Sequence, residues 1–161
     1  MQQCLPFIEA LNRESGLQIE LSGEGSAAFA VDDRGVLLQW SPARSAWIVY
    51  VELARLAGYR DSEIIARLMS ANFLLHETKG GALSLDPTTN TVGLNYSIPV
   101  YGLSPEEFVR VFDAVIELSE LWSEDIRGMI DDKKRLVEEL QKDLAAGDKE
   151  QEAGSSEMLR V

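Results

Sequence analysis

The chain has 161 residues, a formal net charge of −12 and 45% hydrophobic residues. This length suits one domain plus a tail, and the apolar share can build a core. The acidity argues against nucleic-acid binding and against docking on anionic lipid, because both need clustered Lys and Arg. One cysteine, Cys4, excludes an internal disulfide, and we find neither a secretory signal nor an apolar run of membrane-spanning length, so we expect a cytoplasmic protein.

The first third of the chain is predicted to be a short helix followed by strands. Leu5, Ile8 and Leu11 share one helix face, and Gly16 is a typical helix stop. Alternating apolar residues predict strands at residues 17–21, 27–31 and 36–40. A hairpin turn over residues 32–35 joins the last two, and we expect Gly35 to take a positive φ there.

The next strand, Ala46–Leu53, is apolar on both faces. Trp47 points one way, whereas Ile48 and Tyr50 point the other way. Such a strand is either buried on both faces or exposes one face to a partner. Trp47 and the preceding Trp40 are therefore either core residues or anchors for a bound peptide, since aromatic side chains dominate binding hot spots.

The second half of the chain is predicted to be a helix, a hairpin and a long helix. A helix runs from Asp61 or Ser62 to about Leu74, and the alternating segment Gly80–Val100 is a hairpin. Ser104 and Glu107 form a capping box that starts the long helix. We expect an amphipathic helical extension over residues 131–146 and a disordered polar tail over residues 147–161.

The sequence carries no recognisable catalytic or metal-binding pattern. His76 is the only histidine, and a metal site needs several ligands at recurrent spacings. No Gly-x-Ser-x-Gly elbow is present, and Gly80-Gly81 lacks the Lys-Ser/Thr ending of a phosphate loop. We therefore expect no enzyme, no metal and no cofactor. The element order predicts an α+β fold, an antiparallel sheet of about five strands with three helices against it.

Two stretches of the second half resemble a known family. The segments Met69–Leu74 (MSANFL) and Gly80–Pro87 (GGALSLDP) resemble a stretch of the class I type III secretion chaperones, the Tir/CesT-like family. Asn95–Val100 (NYSIPV) and the helix start Leu103–Phe108 (LSPEEF) are similar to the second hairpin strand and last helix of that family. The resemblance covers about residues 5–129.

The resemblance implies a bacterial, cytoplasmic homodimer whose protomer has the order α-β-β-β-α-β-β-α in residues 1–130. Such chaperones hold the N-terminal segment of a secreted effector partly unfolded and help to deliver it to the secretion ATPase. They hydrolyse no ATP. The expected partners are therefore one or more effectors and a second copy of the chain, with no nucleic acid and no membrane insertion.

Strand addition at a sheet edge and a doubly apolar strand also suit an extended peptide. The candidate client-binding residues lie on the first helix and the first strands: Leu5, Ile8, Leu11, Phe29, Val31, Leu38, Trp40, Trp47, Ile48 and Tyr50. The candidate dimer contact joins the second helix to the next strand through Ile64, Leu68, Met69, Leu83 and Leu85. The sequence alone does not decide which face of each strand forms the core. The alternative function is a small dimeric regulatory adaptor of the same fold that binds a folded protein partner.

Overall fold

The computed structural model describes residues 3–57 and 61–158, and leaves the side chains of residue 143 and residues 145–158 undescribed. The described residues form three α-helices and five β-strands in the order α-β-β-β-α-β-β-α, the order that the resemblance implied. The elements are α1 (Leu5–Ser15), β1 (Ser26–Val31), β2 (Arg34–Ser41), β3 (Ala46–Arg55), α2 (Ser62–Ala71), β4 (Ala82–Asp86), β5 (Thr91–Pro99) and α3 (Pro105–Met158). The predicted α+β fold is confirmed, while the homodimer stays a prediction.

The five strands form one antiparallel sheet in the order β1-β2-β3-β5-β4. The strands β1 and β4 are therefore its two edges. The register places Leu38 opposite Val49, and Val51 opposite Leu94. Because side chains alternate across a strand, these residues share one face, and their near-complete burial identifies it as the core face.

Helices α1 and α3 cover this core face with aromatic side chains. The ring of Phe7 on α1 lies 5.4 Å from that of Phe108 on α3, and Phe108 lies 6.3 Å from Trp47. Trp47 in turn packs 5.4 Å from Trp40. The two tryptophans that could have been core residues or peptide anchors are thus core residues, packed between the sheet and the helices.

The long helix α3 begins at the predicted capping box. The Glu107 carboxylate accepts the backbone N–H of Ser104 at 2.8 Å, and the Ser104 hydroxyl accepts that of Glu107 at 3.2 Å. Helix α3 spans a compact unit that ends at Ile126 and a second unit that begins at Arg127. Its backbone is helical through the predicted divisions after residues 130 and 146, so these divisions stay predictions, and residues 159–161 lie outside the described residues.

Two local predictions are wrong for identifiable reasons. Residues 17–21 form no strand, because the Asn12 side chain satisfies both backbone groups of Ile19, at 2.8 and 3.1 Å. In the β1–β2 turn the positive φ belongs to Asp32, at 53°, while Gly35 lies inside β2. An aspartate tolerates the left-handed conformation in a turn, so the glycine is free for another role.

Candidate functional site

One face of the sheet forms a shallow groove of about 390 Å³, and no helix residue is among the described residues that line it. Leu37 and Ile48 give this groove an apolar floor, and Leu37 is 41% exposed. Tyr50 and Glu52 extend the same face along β3. The remaining lining is mainly polar and comes from Gln39, Ser84, Leu85, Asp86, Thr89 and Asn95. We call this groove the open face.

Two glycines shape the open face by leaving room above their backbones. A Cβ atom on Gly93 would lie 2.1 Å from a ring carbon of Tyr50, so the tyrosine ring lies directly over this glycine. A Cβ on Gly35 would lie 2.8 Å from the Glu52 carboxylate. Any larger residue at either position would displace the side chain above it, because real Cβ contacts essentially never fall below 3.0 Å.

One end of the open face is acidic. Burial, and then the charges of Glu52 and Asp86, raise the pKa of the Tyr50 hydroxyl, so this group stays a neutral donor. Asp86 accepts the backbone N–H of Thr88 and the hydroxyl of Thr89, both at 2.8 Å, and these bonds lower the pKa of its carboxyl. The two carboxylates therefore favour a cationic group beside an apolar floor.

The two edges of the sheet differ in their hydrogen bonding. On β4, the side chain of Asn72 accepts the backbone N–H of Leu83 and donates to its carbonyl, both at 2.8 Å. This pairing occupies the outward backbone groups at the middle of the edge. On β1, pairing with β2 directs the backbone groups of Ala28 and Ala30 away from the sheet, and both side chains are small and exposed. An added strand is thus accommodated more readily at β1.

A second exposed apolar surface lies at the end of α2. Met69, Phe73 and Leu74 are 71%, 74% and 81% exposed, and Leu75 follows at 41%. Leu74 and Leu75 have φ values of 55° and 54°, and each left-handed leucine costs about 1–2 kcal/mol. Strained backbone that presents apolar side chains to solvent is typical of a binding surface. We call these four residues the α2 surface.

The predicted client-binding residues divide into four groups. Ile48 and Tyr50 lie on the open face, and Leu5 is exposed on α1. The sheet separates α1 from the open face, so these two groups form no common groove within one chain. Phe29, whose ring lies 6.4 Å from that of Phe112, and Val31 are half-buried on the core side. Fully buried in the core are Ile8, Leu11, Leu38, Trp40 and Trp47, which a client could reach only after the helices leave the sheet.

The predicted dimer residues are also split by burial. Ile64, Leu68 and Leu83 are at most 6% exposed, and α2, which carries the first two, packs against β4, which carries the third, in the same chain. Leu85 is half-buried beside the open face. Only Met69 lies on the α2 surface.

Three further observations concern metal ligands, membrane spans and the one Arg–Trp contact of α2 among the described residues. Among the described side chains, those of residues 3–57, 61–142 and 144, we find no group of three His, Cys, Asp or Glu that could hold a metal ion. Over the same part of the chain, no helix is both long and apolar enough to span a membrane. Arg67, which pairs with Glu77 at 2.7 Å and lies 5.1 Å from the centre of the Trp122 ring, serves to join α2 to α3.

Comparison with known proteins gives the family. The model of the Tir chaperone protein (CesT) family matches residues 6–123. The chain belongs to this family. The resemblance noted in the sequence is thereby confirmed, and the match does not include residues 124–161. No curated protein sequence is similar enough to the chain to count as a relative.

Solved structures share the fold at low sequence identity. The ExsC-ExsE complex matches with a TM-score of 0.61 and 22% identity, over 72% of this chain and 90% of the matched chain. The HopA1-SchA chaperone-effector complex gives 0.55 and 20%, over 73% and 94%. The heterodimeric ExoU-SpcU complex from the type III secretion system of Pseudomonas aeruginosa gives 0.57 and 13%, over 76% and 96%. At these identities the likeness establishes the CesT fold alone.

Sequence reasoning missed several residues of these surfaces. Leu37 belongs to the run Val36-Leu37-Leu38, which is apolar on both faces like β3, and the same signal could have found it. Phe73, Leu74 and Leu75 follow the apolar stripe of α2 as an unbroken apolar run, which a regular helix would not need. Gly93 gave no sequence signal, because its role depends on the tyrosine of a neighbouring strand.

Proposed function

We propose that the chain is a bacterial, cytoplasmic type III secretion chaperone that holds an N-terminal segment of an effector in extended form. Membership of the CesT family supports this proposal, and the observation that carries it is the open face, a groove with an apolar floor that no described helix residue lines. An effector segment would lay an apolar side chain over Leu37 and Ile48 and direct a Lys or Arg toward Glu52 and Asp86. The chaperone keeps this segment ready for delivery to the secretion ATPase and catalyses no reaction itself.

The β1 edge supplies the second half of the proposed site. Main-chain bonds from Ala28 and Ala30 would pair with an extended segment whatever its side chains, while the open face selects among them. Leu5 is a third candidate contact, on the other side of the sheet. A segment that reaches both sides must wrap around an edge, which an extended chain can do and a folded domain cannot.

A dimer is part of the same proposal. Met69, Phe73 and Leu74 are the most exposed apolar side chains near the second helix, so we place the two-fold contact at the α2 surface. The buried Ile64, Leu68 and Leu83 support this surface from beneath. The C2 symmetry of most homodimers would bring each copy of the α2 surface against the other.

Hydrogen exchange on the complex tests the proposed function. The first client to try is the protein encoded by the adjacent reading frame, co-expressed with the full chain. We expect the amide protons of the client's N-terminal segment to exchange as in a chain without a folded core. The amide protons of β1 should exchange more slowly in the complex than in the free chaperone. A client that stays folded in the complex would instead favour the regulatory adaptor.

A matched pair of tyrosine variants locates the site. Tyr50→Ala removes the ring from the open face and should weaken client binding, measured by calorimetry. Tyr101→Ala removes a ring that is 97% exposed and lies in the loop before α3. Equal affinities of the two variants would place the client elsewhere.

A further inference from the structure

The second unit of the chain, from Arg127, carries an apolar stripe that the family match does not include. Val137, Leu140 and Leu144 are 44%, 54% and 71% exposed, and Leu136 beside them is 57% exposed. Ile130 continues the stripe toward the N-terminus. An amphipathic helix of this kind is marginal in water by itself, because most helix stability comes from packing of the apolar face.

The spacing of the stripe is that of a coiled-coil seam. Ile130, Lys133, Val137, Leu140 and Leu144 follow each other at steps of three and four residues, the seven-residue repeat of helices that pair lengthwise. Lys133, the second residue of this series, is polar and interrupts the otherwise apolar seam. A polar residue at such a position specifies orientation and register at some cost in stability.

The charges along this segment complement those of a second copy that runs in the opposite direction. Residues 127–135 hold four basic and two acidic residues, a net charge of +2, whereas residues 136–144 hold one basic and three acidic residues, a net charge of −2. Two copies that run in parallel would align like with like and place Lys133 against Lys133. Two copies that run antiparallel set the basic half of each segment against the acidic half of the other. Lys133 then lies opposite an apolar residue, and its long side chain can place the charged amino group in water at the edge of the contact.

We propose that residues 130–140 of the stripe bind a second copy of the same segment in antiparallel orientation, with Ile130 of one chain opposite Leu140 of the other and Lys133 opposite Val137. Leu144 lies beyond this contact, because the residue that would face it, Ile126, is 0% exposed in its own chain. The arrangement is symmetric about residue 135, so the same surface is used on both chains. A pair of chains therefore leaves no copy of this surface exposed for a third chain. The helical extension is thus a clasp between two chaperone chains, separate from the α2 surface.

Spin labels on the full-length chain test the orientation. Single cysteines replace Arg135 or Lys142, which lie seven residues apart on the outer side of the helix, and the unmodified chain controls for the buried Cys4. In the antiparallel pair, the two copies of residue 135 lie at the same height along the axis, while the two residues 142 are 14 residues apart along the axis, or about 21 Å. We expect a clearly longer distance at 142 than at 135. Equal distances at the two sites would establish a parallel pair and overturn the proposal.

A charge in the seam tests the contact itself. Leu140→Glu should weaken the pairing by about tenfold or more, because it buries a carboxylate among apolar side chains. Gln141→Glu adds the same charge one residue further, off the stripe, and should change the pairing far less. Circular dichroism checks that both variants keep their helix. Equal effects of the two variants would overturn the proposal.

The clasp and the proposed function fail in different ways. A chain that stays dimeric and binds its client, but shows no approach between the labels, removes the clasp and leaves the chaperone intact. Labels that separate when client is added would show that the stripe serves the client instead of a second copy. Labels that stay close in the client complex support the clasp.

Discussion

The α2 surface permits a quantitative prediction for Leu74→Ala. Leu74 is 81% exposed in the single chain. Complete burial of a leucine contributes about 1.5–3 kcal/mol, so burial of the exposed part contributes about 1.2–2.4 kcal/mol per chain. Two copies meet in a symmetric dimer, and the variant should lose most of about 2.4–4.9 kcal/mol. At 1.4 kcal/mol for each factor of ten, the dimer dissociation constant should rise about 50- to 3000-fold.

Sedimentation equilibrium over a range of concentrations measures this change. The matched control is Leu121→Ala, which truncates another leucine that is 59% exposed, on α3. Because the α2 surface does not include it, the control should dissociate like the unmodified chain. If Leu74→Ala and the unmodified chain dissociate alike, the two-fold contact does not use the α2 surface, and the reasoning from exposure and strain is wrong.

Three further predictions concern the sheet, the segment after α2 and helix α3. Asn72→Ala should lower the free energy of unfolding by about 1–3 kcal/mol in a denaturant titration, because it removes two hydrogen bonds to Leu83. Gly93→Ala should weaken client binding measured by calorimetry, since its Cβ displaces the Tyr50 ring. Asp113→Asn should raise the melting temperature near neutral pH. Burial raises the pKa of that carboxyl in the folded chain, so the charged form is penalised above the raised pKa and the gain vanishes in acid.

Each of these predictions has a control in the same chain. Ser70→Ala, at an exposed position on α2, should change the free energy of unfolding far less than Asn72→Ala. Gly128→Ala adds a Cβ with no atom within 4 Å, so it should leave client binding unchanged. A melting-temperature gain of Asp113→Asn that persists in acid would show that the carboxylate charge is not its cause. Client affinity that survives Gly93→Ala would remove Tyr50 from the site.

Local signals in the sequence predicted local structure well. The capping box of Ser104 and Glu107 is made by residues three apart, so the sequence contains every group that decides it. The strand predicted at residues 17–21 failed for the opposite reason. Its alternation is real, but its backbone groups are taken by Asn12 from the preceding helix, a contact that no periodicity reports.

The candidate surfaces were harder to predict than the fold, because a stripe of apolar residues does not say what covers it. Ile64 and Leu68 are spaced as a dimer contact would be, yet their own chain covers them. Trp47 could anchor a peptide by its chemistry, yet it is fully buried beneath α3. The parity of β3 needed the register of its neighbours, and only then did Tyr50 emerge on the open face.

The bonds from Asn72 to Leu83 also bear on how the chaperone avoids polymerising. A sheet with two free edges could pair β1 of one molecule with β4 of the next, and this head-to-tail contact has no geometric end. If this contact repeats, the sheets join edge to edge into a filament, and exposed edge strands in general carry this risk of aggregation. Because Asn72 already satisfies the backbone groups of Leu83 at the middle of the β4 edge, a strand adds more readily at β1 than at β4. The chaperone can thus bind an extended client at β1 while the pairing of β1 with β4 of another molecule is disfavoured.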